Sequence, residues 1–282
     1  MNNEHNWDYI IESEDSLLDL KLKEVWHYRD LLLMFVHRDF VTFYKQTILG
    51  PLWFIIQPLL TTLTFVVIFG NIAGLSTDGK PQFAFYLAGV TIWSYFSETL
   101  TKTSSVFRDN ASIFGKVYFP RLIMPLSIVV SGLIKFGVQF GIFILVIAYY
   151  AFIQGTITPN WWVLATPYLI FLMAILSLGL GMIISSMTTK YKDLVFLITF
   201  GIQLFMYATP VIYPISTLSA KYQAISAYNP LTAVFECFRY GFLGAGSFQP
   251  TMLLYSTLIS FCILALGTII FNKVEKSFMD SI

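Results

Sequence analysis

Six long stretches of the chain are almost free of charge: Leu52–Ile72, Phe83–Phe107, Leu122–Tyr150, Trp162–Met187, Leu194–Tyr213 and Pro250–Phe271. Each is near or above the ~20 apolar residues that a helix needs to cross a bilayer core. Hydrocarbon offers no water to the backbone, and a helix satisfies its own groups within one segment. The third stretch is long enough for a tilt or a break. Apolar residues make up 56% of the chain and charged residues 12%, about half the charge of a soluble domain. The sequence therefore predicts an all-α polytopic membrane protein with six transmembrane helices and both termini on one side. Residues 52–272 would form the membrane domain, with an N-terminal region at 1–51 and a tail at 273–282.

Lys and Arg choose the side, because they concentrate in cytoplasmic connections. One face collects Lys21, Lys23, Arg29, Arg38 and Lys45, then Lys102, Arg108, Lys116 and Arg121, then Lys190 and Lys192, and finally Lys273 and Lys276. The opposite face holds Lys80, Lys221 and Arg239, and Lys135 falls inside a span. Both termini are thus expected in the cytoplasm, with the spans in a bacterial inner membrane. A net charge of +1 offers no basic field for nucleic acid. Cys237 and Cys262 are too few for a disulfide framework, and the second lies in an apolar run that suits a packed, reduced thiol. The polar, acidic start lacks the basic-then-apolar pattern of a cleaved signal peptide.

Three connections carry more than a turn. Leu17–Thr47 mixes Leu20, Leu22, Val25, Trp26, Leu32, Leu33, Phe35, Val36 and Phe40 with Lys23, Arg29, Asp30, Arg38 and Asp39. That mixture predicts an interfacial amphipathic helix in the cytoplasmic headgroup layer, or a helix packed on the cytoplasmic surface of the protein. In Phe107–Pro120, Asp109 or Asn110 can cap a short helix and Pro120 closes the segment. Ile113, Phe114 and Val117 would share one face, fit to dock a cytoplasmic partner, unless the segment is an ordinary turn. Pro214–Gln249 is external; Asn229-Pro230 starts an apolar helical stretch that Gly241–Gly246 ends. Two short helices half-sunk at the outer mouth are expected there.

Chemical machinery is sparse. Gly74-Leu-Ser-Thr-Asp-Gly79-Lys80 fits G-x-x-x-x-G-K, but Pro81 stands where a phosphate loop needs Ser or Thr for Mg²⁺. The loop is also expected outside, away from ATP, so a partner would bind any ATP and this chain no cofactor. His5, His27 and His37 all lie near the N-terminus, which predicts no metal cluster and weakens an enzyme reading. Ionisable residues inside spans are costly and carry a functional hypothesis by default. Glu98 and Lys135 either neutralise each other or line a wet path for polar cargo. Glu236 and Arg239, three apart on the outer helix, either pair or gate the mouth. Trp53, Trp161 and Trp162 suit interfacial belts. Tyr86, Trp93, Tyr95, Phe96, Phe136, Phe140, Phe205 and Tyr207 fall within spans, where they either pack toward lipid or offer faces and hydroxyls to a sliding sugar chain. Gly137-x-x-x-Gly141 and Gly179/Gly181 permit close helix approach, within one chain or between two copies.

Several short motifs, in order, add a family resemblance over about residues 20–275. The first group is Tyr28-Arg29-Asp30-Leu31-Leu32, Arg38-Asp39, Tyr44-Lys45-Gln46-Thr47, Leu49-Gly50-Pro51-Leu52-Trp53 and Gln57-Pro58. Further along come Phe119-Pro120-Arg121 with Pro125, Tyr191-Lys192-Asp193, Thr209-Pro210-Val211-Ile212-Tyr213, and Asn229-Pro230-Leu231-Thr232 with Phe238-Arg239. Together they resemble ABC type-2 permeases that export polysaccharides such as O-antigen, capsule-like glycans and teichoic acid. Thr42-Phe43 departs from the pattern, where another basic residue is expected before Tyr44.

The resemblance implies two copies of this chain paired with two copies of a cytoplasmic ATPase that binds ATP and Mg²⁺. It implies a coupling helix at Asn110–Val117, with Asn110, Ile113, Phe114, Lys116 and Val117 at the contact. It also implies a periplasmic gate within Ile215–Gly246, including Asn229, Pro230, Glu236 and Arg239. The implied cargo is a glycan on polyprenyl diphosphate, which enters near the N-terminal helix and crosses when ATP binding separates or recloses the two permeases. Arg38, Tyr44 and Lys45 are candidates to meet the diphosphate, since Arg forks bind phosphate well; positive-inside placement accounts for Arg38 and Lys45 as well. Tyr86, Trp93, Glu98, Lys135, Phe136, Phe140 and Tyr207 are candidates to line the channel. Rival readings are an ABC exporter of drugs or small lipids, an integral-membrane glycosyl- or acyltransferase, and an ion-coupled transporter. Aromatic content favours glycan over drug, and one mid-span carboxylate is thin support for the last two.

Overall fold

The computed structural model describes residues 22–45, 48–114, 116–117, 119–191, 193–246 and 248–279, the side chains of residues 22, 43, 44, 189 and 275–279 excepted. Of the residues singled out above, His5, Leu20, Lys21, Gln46, Thr47, Lys192 and the side chains of Leu22, Phe43, Tyr44 and Lys276 lie outside the described residues.

Every described element is helical. α1 (Leu22–His27) and α2 (Arg29–Tyr44) precede a 3-10 turn at Gly50–Leu52, α3 (Trp53–Phe65) and a π-helical segment at Val66–Ile72. α4 (Gln82–Ser104) leads into the short α5 (Val106–Asp109) and α6 (Ala111–Phe114). α7 (Ile123–Ala148) ends in a second π segment, and a 3-10 turn at Trp161–Ala165 opens α8 (Thr166–Lys190). α9 (Leu194–Ala208), α10 (Ala220–Ala227), α11 (Pro230–Leu243) and α12 (Pro250–Met279) follow.

Four stretches are long and apolar enough by themselves to cross a membrane: Gly50–Ile72, Ile123–Ile153, Trp161–Thr188 and Pro250–Val274. α9 is apolar but shorter. α4 has 23 residues but carries Glu98, Lys102 and many Ser and Thr. Burial explains how α4 tolerates them. Ala84 to Trp93, then Tyr95 and Phe96, are all buried, because α3, α7, α8, α9 and α11 pack around this helix. A helix shielded by protein need not be apolar for lipid.

Glycine sets the closest packing. A Cβ on Gly267 of α12 would sit 2.5 Å from the carbonyl oxygen of Gly179 on α8, and one on Gly181 would meet Thr103 of α4. The small residues of α8 therefore act within the chain. Gly137 and Gly141 on α7 face open space instead.

Two apolar clusters fill the bundle. One surrounds α4 and α11, where the Phe238 and Phe242 rings lie 4.7 Å apart beside Phe140 and Phe143. The other joins Phe35 of α2 to Phe107, Phe114, Phe119 and Phe271, with Phe107 stacked on Phe271 at 4.5 Å. α2 thus docks on the bundle through Phe35 and Val36 while Leu33 and Met34 stay exposed beside Arg29, Asp30 and Arg38. The two short helices after α9 are present, at unequal depth. In α10 Ser226 is buried, Gln223 and Ala227 are half-buried and the rest is exposed, whereas nearly all of α11 is buried. Gly244, at φ +64, caps α11 in the left-handed conformation that suits glycine.

Candidate functional site

α3, α4, α7 and α9 leave between them a cleft of about 510 Å³. α3 contributes Gln57, Thr61 and Phe65; α4 contributes Trp93, Ser94, Ser97 and Glu98; α7 contributes Lys135 and Gln139; and α9 contributes Gln203. Pro58 also lines it and removes one hydrogen bond from α3. The Thr61 and Thr62 hydroxyls bond back to the Gln57 and Pro58 carbonyls at 3.0 and 2.7 Å. Lys135 Nζ donates to Glu98 Oε2 at 2.6 Å, and Lys102 Nζ lies 2.9 Å from Glu98 Oε1. One carboxylate thus serves two ammonium groups, and the charges of Glu98 and Lys135 cancel within the cleft. Among the described residues, the carboxamides of Gln57, Gln139 and Gln203 have no hydrogen-bond partner. Such groups are expensive in hydrocarbon, and three of them border one cleft.

Trp93, Glu98 and Lys135 of the channel candidates converge on this cleft. Glu98 and Lys135 neutralise each other, as one of the two readings expects, and the pair borders the cleft. Tyr86 is instead fully buried against Phe65 and Phe85. Phe136 and Phe140 stack on each other at 5.4 Å, and Phe140 continues into the aromatic core at Phe238 and Phe242. Tyr207 is exposed on α9, off the cleft lining. Gln57, Thr61, Ser94, Ser97, Gln139 and Gln203 carry no charge and escape a search for intramembrane ionisable groups. Their legible signal is a carboxamide inside an apolar run.

Beyond α9 the chain leaves the helix at Thr209–Tyr213, and Arg239 of α11 holds it. The guanidinium donates to the carbonyls of Pro210 at 2.6 Å, Val211 at 2.5 Å and Tyr213 at 3.4 Å. It also lies 3.8 Å from the centre of the Phe85 ring. Gly89 makes room, since a Cβ there would sit 2.5 Å from the Val211 carbonyl oxygen and 3.0 Å from Arg239 Nη2. The partners of Arg239 are thus backbone carbonyls, which i, i+3 spacing from Glu236 does not reveal. Glu236, one turn earlier, is buried and points at Gly246. Asn229 Oδ1 accepts from Leu231 N at 3.0 Å, and Nδ2 donates to Thr209 Oγ1 at 3.0 Å. Pro230 takes the first helical position, and its carbonyl accepts from Ser256 of α12. The G-x-x-x-x-G-K loop lies nearby, where Asp78 accepts from Ser216 at 2.6 Å.

At the other end, Asn110 Nδ2 donates to the Val106 carbonyl at 3.0 Å and shapes the α5–α6 bend. The expected shared face of Ile113, Phe114 and Val117 is split. Phe114 is buried between Phe107 and Phe119 with Arg121 over its ring, whereas Lys116 and Val117 are exposed and Ile113 is half-buried. The helix ends at Phe114, so the 3.6-residue spacing that would align Val117 with Phe114 does not continue. Arg38 pairs with Asp39 at 2.9 Å and lies over Phe35, and Lys45 is exposed at the end of α2.

Membrane-length helices around a polar-lined cleft define a polytopic membrane protein. The chain belongs to the ABC-2 type transporter family, which it matches over residues 30–243. It is 29% identical to the O-antigen export system permease protein RfbA of Klebsiella pneumoniae over 252 residues, 89% of this chain and 94% of that protein. A protein of the same name from Myxococcus xanthus is 26% identical over 265 residues, 93% and 98% of the two chains. The inner membrane transport permease YadH of Escherichia coli (strain K12) is 25% identical over 263 residues, 90% and 94%. The family resemblance carried by the short motifs is borne out.

Proposed function

We propose that this chain is the membrane-spanning permease of an exporter that moves a lipid-linked, O-antigen-like polysaccharide across the bacterial inner membrane, driven by a separate ATPase. The observation that carries the reading is the polar-lined cleft, on a chain whose relatives include O-antigen export permeases. α3, α4, α7, α8, α9 and α12 are the six crossings. α4, at 23 residues, reaches about 34 Å at 1.5 Å per residue, enough for a core of about 30 Å. α9 is short, and the Thr209–Tyr213 turn completes its crossing. Irregular backbone at membrane depth needs partners from protein, and Arg239 supplies them.

Positive-inside placement puts both termini in the cytoplasm. α5 and α6 then form the coupling element, with Lys116 and Val117 as the contact and Phe114 as its anchor. α10 and α11 lie at the periplasmic mouth as the gate, with Asn229, Pro230, Glu236 and Arg239 holding α11 in place. Arg38, Tyr44 and Lys45 lie where the polyprenyl diphosphate arrives. Two copies meet across the open side of the cleft, where Gln57 of α3 and Gln203 of α9 are exposed and need polar company. Deleting the gene tests the reading: surface polysaccharide should be lost while drug sensitivity is unchanged. Intact polysaccharide with raised drug sensitivity would assign the chain to small-molecule export.

A further inference from the structure

We infer that the cleft is a binding groove for an uncharged, hydroxyl-rich chain, and that Glu98 sets this preference by neutralising Lys135. The inference rests on the export reading and narrows its cargo to neutral glycans. Gln139 is 3% exposed and lines the groove without a partner. A buried polar group normally has one, so this carboxamide serves a ligand or the water that a ligand displaces. Gln57 and Gln203 stand on two further walls, α3 and α9. A carboxamide donates and accepts, as a hydroxyl does, which matches sugar hydroxyls on both counts. An ionised carboxylate or phosphate only accepts. Trp93 adds an aromatic surface to the same space. A volume of about 510 Å³ falls in the range of small-ligand sites, so the groove holds a short stretch of chain at a time.

Charge argues against acidic sugars. Glu98 and Lys135 are the charged residues in the lining. Lys135 is engaged at 2.6 Å, and the other Glu98 oxygen is held by Lys102 at 2.9 Å. An entering carboxylate would be a second anion beside Glu98, and the cation that lines the cleft, Lys135, is already engaged; the surplus positive charge sits on Lys102, which is 51% exposed and outside the lining, and desolvating an unpaired charge is expensive. A neutral sugar leaves the pair intact.

The test uses the purified full chain in lipid nanodiscs. Maltoheptaose and a galacturonate oligomer of equal length are titrated against tryptophan fluorescence, with Trp93→Phe to assign the signal. Maltoheptaose should bind at least tenfold tighter than the galacturonate. Glu98→Gln, which releases Lys135, should move that ratio at least tenfold toward galacturonate, and Glu98→Gln with Lys135→Gln should restore it. Gln139→Leu with Gln203→Leu should weaken maltoheptaose at least fivefold. If Glu98→Gln alone does not fold, the charge-neutral double variant decides, and a shift toward galacturonate there overturns the idea. So does equal or tighter galacturonate binding by the wild type, an unmoved ratio in a folded Glu98→Gln protein, or no maltoheptaose binding. Should deletion of the gene abolish surface polysaccharide while any of these results is found, the groove assignment falls and the export reading stands.

Discussion

α4 apart, the α8–α12 seam and the α3–α4–α7–α9 cleft are built from similarly apolar helices, yet one excludes even a methyl group and the other leaves about 510 Å³ open. In the seam, Gly179 and Gly267 bring two backbones into contact. Around the cleft, Gln, Ser and an ion pair occupy the positions where small or apolar residues would have closed it. Burial sets α8 apart from both: 67% of the apolar stretch of Trp161–Thr188 is buried, against 22% for its seam partner Pro250–Val274 and 22% for Gly50–Ile72 on the cleft. On α9, Ile202 is the buried residue. Lipid supplies no hydrophobic drive between helices, so packing and polar contacts decide which pairs bind tightly. α8, α12 and the core of α4 form a scaffold, and α3 and α9 are walls held by fewer contacts.

Breaking the seam should have the largest effect. Gly267→Val places a methyl-bearing carbon against the Gly179 carbonyl, where the obstacle is backbone and cannot rotate away. Overpacking of this kind costs about 3 kcal/mol or more, and little folded protein should survive extraction; a wild-type melting temperature would show that the helices slide apart freely. Next comes the attachment of the looser wall. Arg239→Met strips three carbonyls after α9 of their donor, at about 2–3 kcal/mol. Melting should fall by several degrees, and a cysteine placed at Ile212 should become reactive to a polar thiol reagent.

The helical character of the bundle is legible in the apolar runs, and so are both ends of α11, because Asn229-Pro230 and Gly244 act through local backbone chemistry. The cleft is only half legible. Glu98 and Lys135 stand out as charges among apolar residues, but which aromatic rings face them depends on helix rotation. That rotation places Trp93 on the cleft and sends Tyr86 and Phe136 into the core. Arg239 reads as a partner for Glu236, whose charge does act on it, but the carbonyls of a distant turn that it bonds are not legible. At α6, spacing groups Phe114 with Val117, but the helix stops first. The scaffold end can be sharpened there. Phe114→Leu keeps most of the volume and should cost about 1 kcal/mol by loosening α6 from Phe107 and Phe119. Val117→Asp should leave melting unchanged while lowering recovery of the ATPase on the tagged permease; full recovery would remove Val117 from the contact.

The smallest effect should come from the glycines that resemble the seam but lack a partner. Nothing lies within 4 Å of a Cβ built on Gly137 or Gly141, and neighbouring Ile134, Val138 and Leu145 are exposed. This face is uniformly apolar, so lipid satisfies it as well as protein would. The cleft opening differs, because its exposed Gln57 and Gln203 gain from a polar neighbour. Gly141→Leu should therefore change stability by less than about 0.5 kcal/mol and leave the proposed dimer intact, whereas Gln203→Leu with Gln57→Leu should alter the monomer–dimer balance. The contrast is read by light scattering of the detergent-solubilised chain at matched concentrations. Dissociation by Gly141→Leu alone would mean that two copies meet along α7, and that its G-x-x-x-G pattern works between chains as the Gly179–Gly267 contact works within one.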